Sequence, residues 1–184
     1  MTHTQSCLTP EDEMFIGWGI ENGVDYFGLS FVGGAHDVVR CREIIKAHGG
    51  TQRIVAKIER ASALADIDAI IAHADAVMIA RGDLGNEVAL EEVPFVQATI
   101  IKKCRDAHTP VITATQMMLS MTEHPTPTRA EVTDVAHAII LGSDAVMLSE
   151  ETASGKYPVE AVTMMERIAV AAERHIGTVS HTFL

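Results

Sequence analysis

Short apolar runs rich in β-branched residues recur along this chain at residues 26–32, 53–59, 76–80, 110–117 and 145–151. Each has the length and composition of a buried strand. Between them the apolar positions shift to a helical period. Thr9-Pro10-Glu11-Asp12-Glu13 supplies a capping residue, a proline suited to the first turn and three acids that favour the positive end of a helix. It predicts a helix over 10–22. A second helix over 35–48 stops at Gly49-Gly50. Helical patterns follow over 61–73 and 91–108, the latter alternating in charge. Thr128-Arg129-Ala130-Glu131 has capping-box spacing and opens a helix ending near Gly142, and Pro158 opens a last one ending near Ile176.

Strand–helix alternation with short connections predicts βαβ units and a parallel sheet. A chain of 184 residues is expected to form a single domain, 1–184. Five strands, each followed by a helix, fall short of a closed barrel, which needs eight strands and about 250 residues. The fold expectation is therefore α/β with a parallel sheet, either open or part of a (β/α) barrel. Aromatics make up only 4% of the chain, so the core is built from Ala, Val, Ile, Leu and Met, which suits a parallel sheet covered by helices.

A formal charge of −11 with no basic cluster argues against nucleic-acid partners. Cys7, Cys41 and Cys104 lie far apart without metal-binding spacing, which reads as a reduced, cytoplasmic chain. No apolar run approaches the roughly 20 residues of a membrane span. The N-terminus lacks the basic start and apolar stretch of a secretory leader. No GxGxxG or Walker-type loop follows any predicted strand, which weakens a nucleotide-fold reading.

Polar residues collect where the strands end: Ser30, Glu59, Asp83, Thr115-Gln116 and Ser149-Glu150-Glu151. In barrels and open α/β sheets that edge is where ligands bind. Strand side chains alternate faces, so Lys57 and Glu59 point the same way, as do Arg81 and Asp83 if the strand reaches that far. Two carboxylates, a lysine and the adjacent Gly82 suit a hard divalent cation holding an anionic substrate, which points to phosphoryl or carboxylate chemistry on magnesium. Each segment also has a plainer reading. Lys57 and Glu59 can be an ordinary ion pair, and Arg81-Gly82-Asp83 a turn with Asp83 capping a helix. Thr113 and Thr115 can be buried strand residues. Arg129 and Glu131 read as helix-start capping, the methionines as core, and Asp134 and His137 as surface.

Taken together, Ile54-Val55-Ala56-Lys57-Ile58-Glu59, Ile79-Ala80-Arg81-Gly82-Asp83-Leu84-Gly85, Thr113-Ala114-Thr115-Gln116-Met117, Pro127-Thr128-Arg129-Ala130-Glu131 and Met147-Leu148-Ser149-Glu150-Glu151-Thr152-Ala153 resemble consecutive barrel motifs of the pyruvate kinases. The resemblance runs from about Leu8 to Glu173 and corresponds to strands four to eight of the catalytic barrel. It implies a magnesium-dependent phosphotransferase of glycolysis, converting phosphoenolpyruvate and ADP to pyruvate and ATP. By the same resemblance Glu59 and Asp83 hold Mg²⁺, and Lys57 stabilises charge on the transferring phosphoryl group. Arg81, Gly82 and Asp83 bind substrate, with backbone amides of Gly82 and Asp83 cradling its carboxylate. Thr115 sits by the enolate carbon and contacts substrate, and Ser149 and Glu151 lie near the proton path.

The chain also departs from the family pattern. Gly33-Gly34 stands where basic residues are usual, Glu150 where glycine is usual, Ser154 in place of a lysine associated with nucleotide, and Thr126 in place of an arginine. The family's potassium site and much of its ADP/ATP surface come from the barrel's first part, so both are expected to be missing. The alternative reading is a non-catalytic module that keeps a Mg²⁺–keto-acid pocket and serves in binding or regulation. An open parallel sheet with bare edges predicts a homo-oligomer, most simply a dimer covering the open barrel face.

Overall fold

The structure is a computed structural model and describes residues 7–176. Five parallel strands alternate with helices, as the periodicity predicts, and the chain divides into two compact units, Met1–Val111 and Ile112–Leu184.

In the first unit, helix α1 (Pro10–Glu21) begins at the expected capping residue, Thr9, whose contacts form a capping box. Thr9 Oγ1 accepts from the Asp12 amide at 3.2 Å, while Asp12 Oδ2 accepts from the Thr9 amide at 2.8 Å. Strands β1 (Tyr26–Leu29), β2 (Arg53–Ile58) and β3 (Ala76–Ala80) pair in order and in parallel. The register sets Leu29 opposite Ala56 and Ile58 opposite Ile79. On one face Ile54, Ala56, Ile58, Val77 and Ile79 are sealed completely under the helices. On the other face Val55, Lys57 and Met78 are only half-buried, and Tyr26 is exposed. That is the face a closed barrel would turn inward.

The covering helices are α2 (Ala35–Ala47), α3 (Ala61–Ala65), α4 (Ile67–His73), α5 (Arg81–Glu87) and α6 (Val93–Asp106). The helix expected over 61–73 is interrupted at Asp66, whose carboxylate accepts from the Ala35 amide at 2.7 Å. A 3-10 turn, Leu90–Glu92, precedes α6, so that helix starts two residues later than its charge pattern suggests. Helix α5 was absent from the expected elements. Strand β3 ends at Ala80, so Arg81 and Asp83 occupy a helical first turn and do not share a strand face.

The second unit contains most of β4 (Val111–Ala114), paired in parallel with β5 (Ala145–Met147). Both are shorter than the apolar runs that predicted them. After β4, Thr115 and Gln116 adopt left-handed backbone angles, φ 66° and 53°. After β5 a one-turn helix, α8 (Glu150–Ala153), begins. Helices α7 (Arg129–Leu141) and α9 (Pro158–His175) pack on each other over Met117, Met118, Met121, Val135, Ala138, Met165 and Ile168. The methionines are core, as expected.

Glu131 caps α7 and ties it to the preceding turn. Its Oε2 accepts from the Thr128 amide at 2.7 Å, and its Oε1 accepts from the Ser120 amide at 2.7 Å. Burial pushes its carboxyl up, but these Ser120 and Thr128 hydrogen bonds outweigh burial and hold it below its ordinary value of 4.5. A depressed carboxylate contributes stability that is present above its unfolded-state value and lost as pH falls through the folded one. Glu131→Gln is therefore expected to cost about 1 kcal/mol at pH 7. The gap from wild type should close as pH falls below the usual glutamate range, measured by urea midpoints. A gap that persists at the lowest pH would show that shape, not charge, sets the effect.

Candidate functional site

The first unit brings Lys57 and Glu59 together at the C-terminal end of β2. Glu59 is only 2% exposed, and a carboxylate that deeply buried needs compensation. Lys57 Nζ lies 2.7 Å from Glu59 Oε1, with its side chain 26% exposed. The same ammonium donates to Ser30 Oγ at 2.8 Å. Ser30 is the position the β1–β2 register sets opposite Lys57, since Leu29 faces Ala56. The second carboxylate oxygen, Oε2, accepts the Phe31 amide at 2.6 Å. Phe31 holds a left-handed φ of 55°, and the Arg60 guanidinium lies 5.1 Å from its ring centroid. An exposed aromatic residue in that region is strained, and the amide bond to Glu59 is what the conformation gains.

Asp83 leaves the neighbouring strand. It is the third residue of α5, which begins directly after β3, and it is exposed. Ile58 and Ile79 are in register, so Glu59 and α5 emerge from adjacent strand ends. Among the described residues no group of three or more His, Cys, Asp or Glu side chains converges as a metal cage. Magnesium does not ask for one: it binds through one or two carboxylates and completes its shell with water and substrate oxygens. Glu59, a buried oxygen donor already neutralised by a cation, and Asp83, open to solvent, fit that requirement. Gly82, next to Asp83, is half-buried in the same first turn. Arg81 turns elsewhere. It is buried, and its Nη1 donates to Gln97 Oε1 on α6 at 3.3 Å, which anchors α5.

The second unit holds Thr115, Ser149 and Glu151. Thr115 Oγ1 donates to its neighbour's carbonyl, Ala114 O, at 2.7 Å, inside the left-handed turn that ends β4. Glu151 is fully buried. Its Oε1 accepts the Met118 amide at 3.0 Å and its Oε2 the Ser149 amide at 2.8 Å. One carboxylate thus braces the turn after β4 to the turn after β5, where Ser149 lies. Thr113 is buried, with its hydroxyl 2.8 Å from Ser143 Oγ, the plain structural reading.

The sequence-profile match is to the family described as "Pyruvate kinase, barrel domain" and covers residues 3–162. The chain belongs to the pyruvate kinase family. It is 50% identical over 177 residues to the pyruvate kinase of Thermococcus litoralis, covering 96% of this chain and 37% of that protein. It is 52% identical over 168 residues to that of Geobacillus stearothermophilus, covering 91% of this chain and 29% of that protein. A solved pyruvate kinase structure from Cryptosporidium parvum matches with a TM-score of 0.91 at 39% identity, over 94% of this chain and 37% of that one. The chain thus spans about a third of the length of the pyruvate kinases it matches, and its fold is a partial TIM barrel.

Phe31, which holds Glu59, and Met118, which Glu151 holds, are absent from the sequence-derived site residues, and Ser30 is there only as a strand-end residue, without its contact to Lys57. That contact was within reach of sequence reasoning: apolar runs starting at 26 and 53 pair with an offset of 27, which sets Ser30 opposite Lys57. Removing the Glu151 brace leaves two amides without their acceptor in a buried region. Glu151→Ala is expected to cost about 3 kcal/mol in urea unfolding. Faster amide exchange at Met118 and Ser149 than in α7 should accompany it, and unchanged protection there would show that Glu151 is not the brace.

Proposed function

We propose that this chain supplies the phosphoenolpyruvate- and metal-handling part of a pyruvate kinase, transferring a phosphoryl group from phosphoenolpyruvate to ADP with release of pyruvate. The observation that carries this reading is the buried Lys57–Glu59 pair at the end of β2, one strand from Asp83. Relatives at about half identity, each named pyruvate kinase, favour phosphotransfer over a purely binding or regulatory module.

In this reading Glu59 and Asp83 hold Mg²⁺. Once bound, the ion supplies Lewis-acid stabilisation of negative charge on the substrate's carboxylate and enolate oxygens. Lys57 presents its ammonium to the transferring phosphoryl group, where a fixed positive charge in a water-poor site lowers the barrier most. Gly82 and Asp83 bind the substrate carboxylate through the first turn of α5, and Arg81 positions that turn through Gln97. Thr115, which also contacts substrate, and Ser149 serve protonation of the enolate carbon. Glu151 acts on this step through Ser149, whose amide it holds. In this reading the chain serves as a pyruvate kinase-like barrel domain in the cytoplasm, with neither nucleic acid nor membrane as partner. Among the described residues no helix is long and apolar enough to cross a membrane. Potassium and nucleotide contacts are assigned to the portion of the family barrel that lies outside this chain's match.

A second copy of the chain is the proposed partner. The half-open sheet face, the bare edge of β1, and a cavity of about 430 Å³ lined by Phe15, Trp18, Tyr26, Phe27 and Phe31 support this. Trp18 is 62% exposed there. Analytical ultracentrifugation is expected to give a dimer that Trp18→Glu dissociates, and a monomer at micromolar concentration would refute it. For the reaction, a coupled pyruvate assay with phosphoenolpyruvate, ADP and Mg²⁺ tests whether this chain turns over without those potassium and nucleotide contacts, and any turnover is expected to be lost in Lys57→Ala. Pyruvate formation at the no-enzyme rate, with folding intact, would end the claim of activity for this chain.

A further inference from the structure

The contacts of Glu59 distinguish its two oxygens. Oε2 is held by a backbone amide, Phe31 N at 2.6 Å, which cannot leave without moving the turn that follows β1. Oε1 is held by an ammonium on a flexible four-carbon stem, Lys57 Nζ at 2.7 Å. A cation that binds Glu59 through Oε1 meets the Lys57 ammonium there. Lys57 has somewhere to go, because a quarter of its side chain already faces solvent. It also has a reason to stay, because Ser30 Oγ gives it a second anchor at 2.8 Å.

We propose that Lys57 and a divalent cation compete for Glu59 Oε1, so that Lys57 is a built-in counter-ion that weakens metal binding and must be displaced by it. This inference rests on Glu59 being a metal ligand. The physical basis is charge: an ammonium within 3 Å of the donor oxygen repels an arriving dication, and its bond to Glu59 is lost on exchange. The exchange also frees the Lys57 ammonium at the moment the cation is seated. One residue thereby couples filling of the metal position to the availability of a positive charge for an anionic ligand. Ser30 sets how firmly the ammonium is held and so tunes the competition.

The test is a Mn²⁺ titration of the full chain, with free Mn²⁺ followed by electron paramagnetic resonance, on wild type, Lys57→Gln, Lys57→Arg, Ser30→Ala and Glu59→Gln. Lys57→Gln should bind Mn²⁺ about tenfold more tightly at low ionic strength, with the gain shrinking as salt screens the charge. Lys57→Arg keeps the charge and should stay at the wild-type level. Ser30→Ala keeps the ion pair but loses its second anchor, so it should tighten binding by a smaller factor. The rise in melting temperature on Mn²⁺ addition should be largest in Lys57→Gln, where Glu59 otherwise lacks a counter-charge. Equal or weaker affinity in both Lys57→Gln and Ser30→Ala overturns the competition. If wild type still binds and Glu59→Gln does not, the metal-site reading survives that failure. Binding unaffected by Glu59→Gln, or absent from wild type and Lys57→Gln alike, removes the metal-site reading and the competition with it.

Discussion

A carboxylate sealed from water at the end of a strand is the constraint around which the first unit is arranged. Glu59 cannot stay charged at 2% exposure without partners for both oxygens. The parallel register of β1 and β2 supplies them: Ser30 steadies the Lys57 ammonium, and the Phe31 amide reaches the other oxygen. The strained backbone at Phe31 follows from this, because only a turn at that point aims its amide at Glu59. An apolar residue in place of Glu59 would relax the turn and leave Lys57 without its partner. Burial of this charge fits a structure that gives up some stability to keep a donor oxygen oriented for a ligand.

The second unit solves a related problem with the opposite outcome. Glu151 is buried too, but its compensation comes from the Met118 and Ser149 amides, with no ammonium among those contacts. Backbone partners are immobile, whereas a lysine can move. Glu151 therefore reads as a fixed brace that orients Ser149, and Glu59 as a donor whose partner can be exchanged. Two carboxylates at strand ends, alike in the sequence, are separated in role by what neutralises them.

Much of this fold was legible in the sequence because local signals and tertiary packing agree. The capping residue Thr9 and the capping box at Thr128 start α1 and α7 as expected, and the apolar runs contain the five strands. Strand ends were not legible. The run through Met117 is apolar or β-branched except at Gln116, yet β4 stops at Ala114 because Thr115 and Gln116 turn left-handed, where the β propensity of Thr115 gives no warning. Arg81-Gly82-Asp83 enters a helix that Gly82 and Gly85 make intrinsically weak; Arg81 anchors it by a bond to Gln97, sixteen residues on. The site residues were readable only as a set. Lys57 and Glu59 alone make an ordinary ion pair, and their order with the later motifs is what ties them to a family.

The departures from the family pattern bear on the charge balance at this edge. Gly33 and Gly34 stand where basic residues are usual, and the loop is held by carboxylates instead. Asp37 Oδ2 accepts the Gly33 amide at 2.8 Å, Asp66 Oδ2 the Ala35 amide at 2.7 Å, and Glu59 the Phe31 amide. A side chain at Gly34 would press on Asp66 Oδ2, 3.0 Å from where its Cβ would lie, so the loop tolerates little bulk there. Acids pin this loop through its own amides, and Lys57 is the basic side chain that β2 carries to this edge. Arg60, over the Phe31 ring, is the next basic residue along the chain from it. In a chain of net charge −11, the proposed anionic substrate would be attracted to this edge only as far as Lys57 and a cation outweigh the acids around them. In the proposed exchange, release of Lys57 from Glu59 would turn a neutralised ion pair into an attractive field.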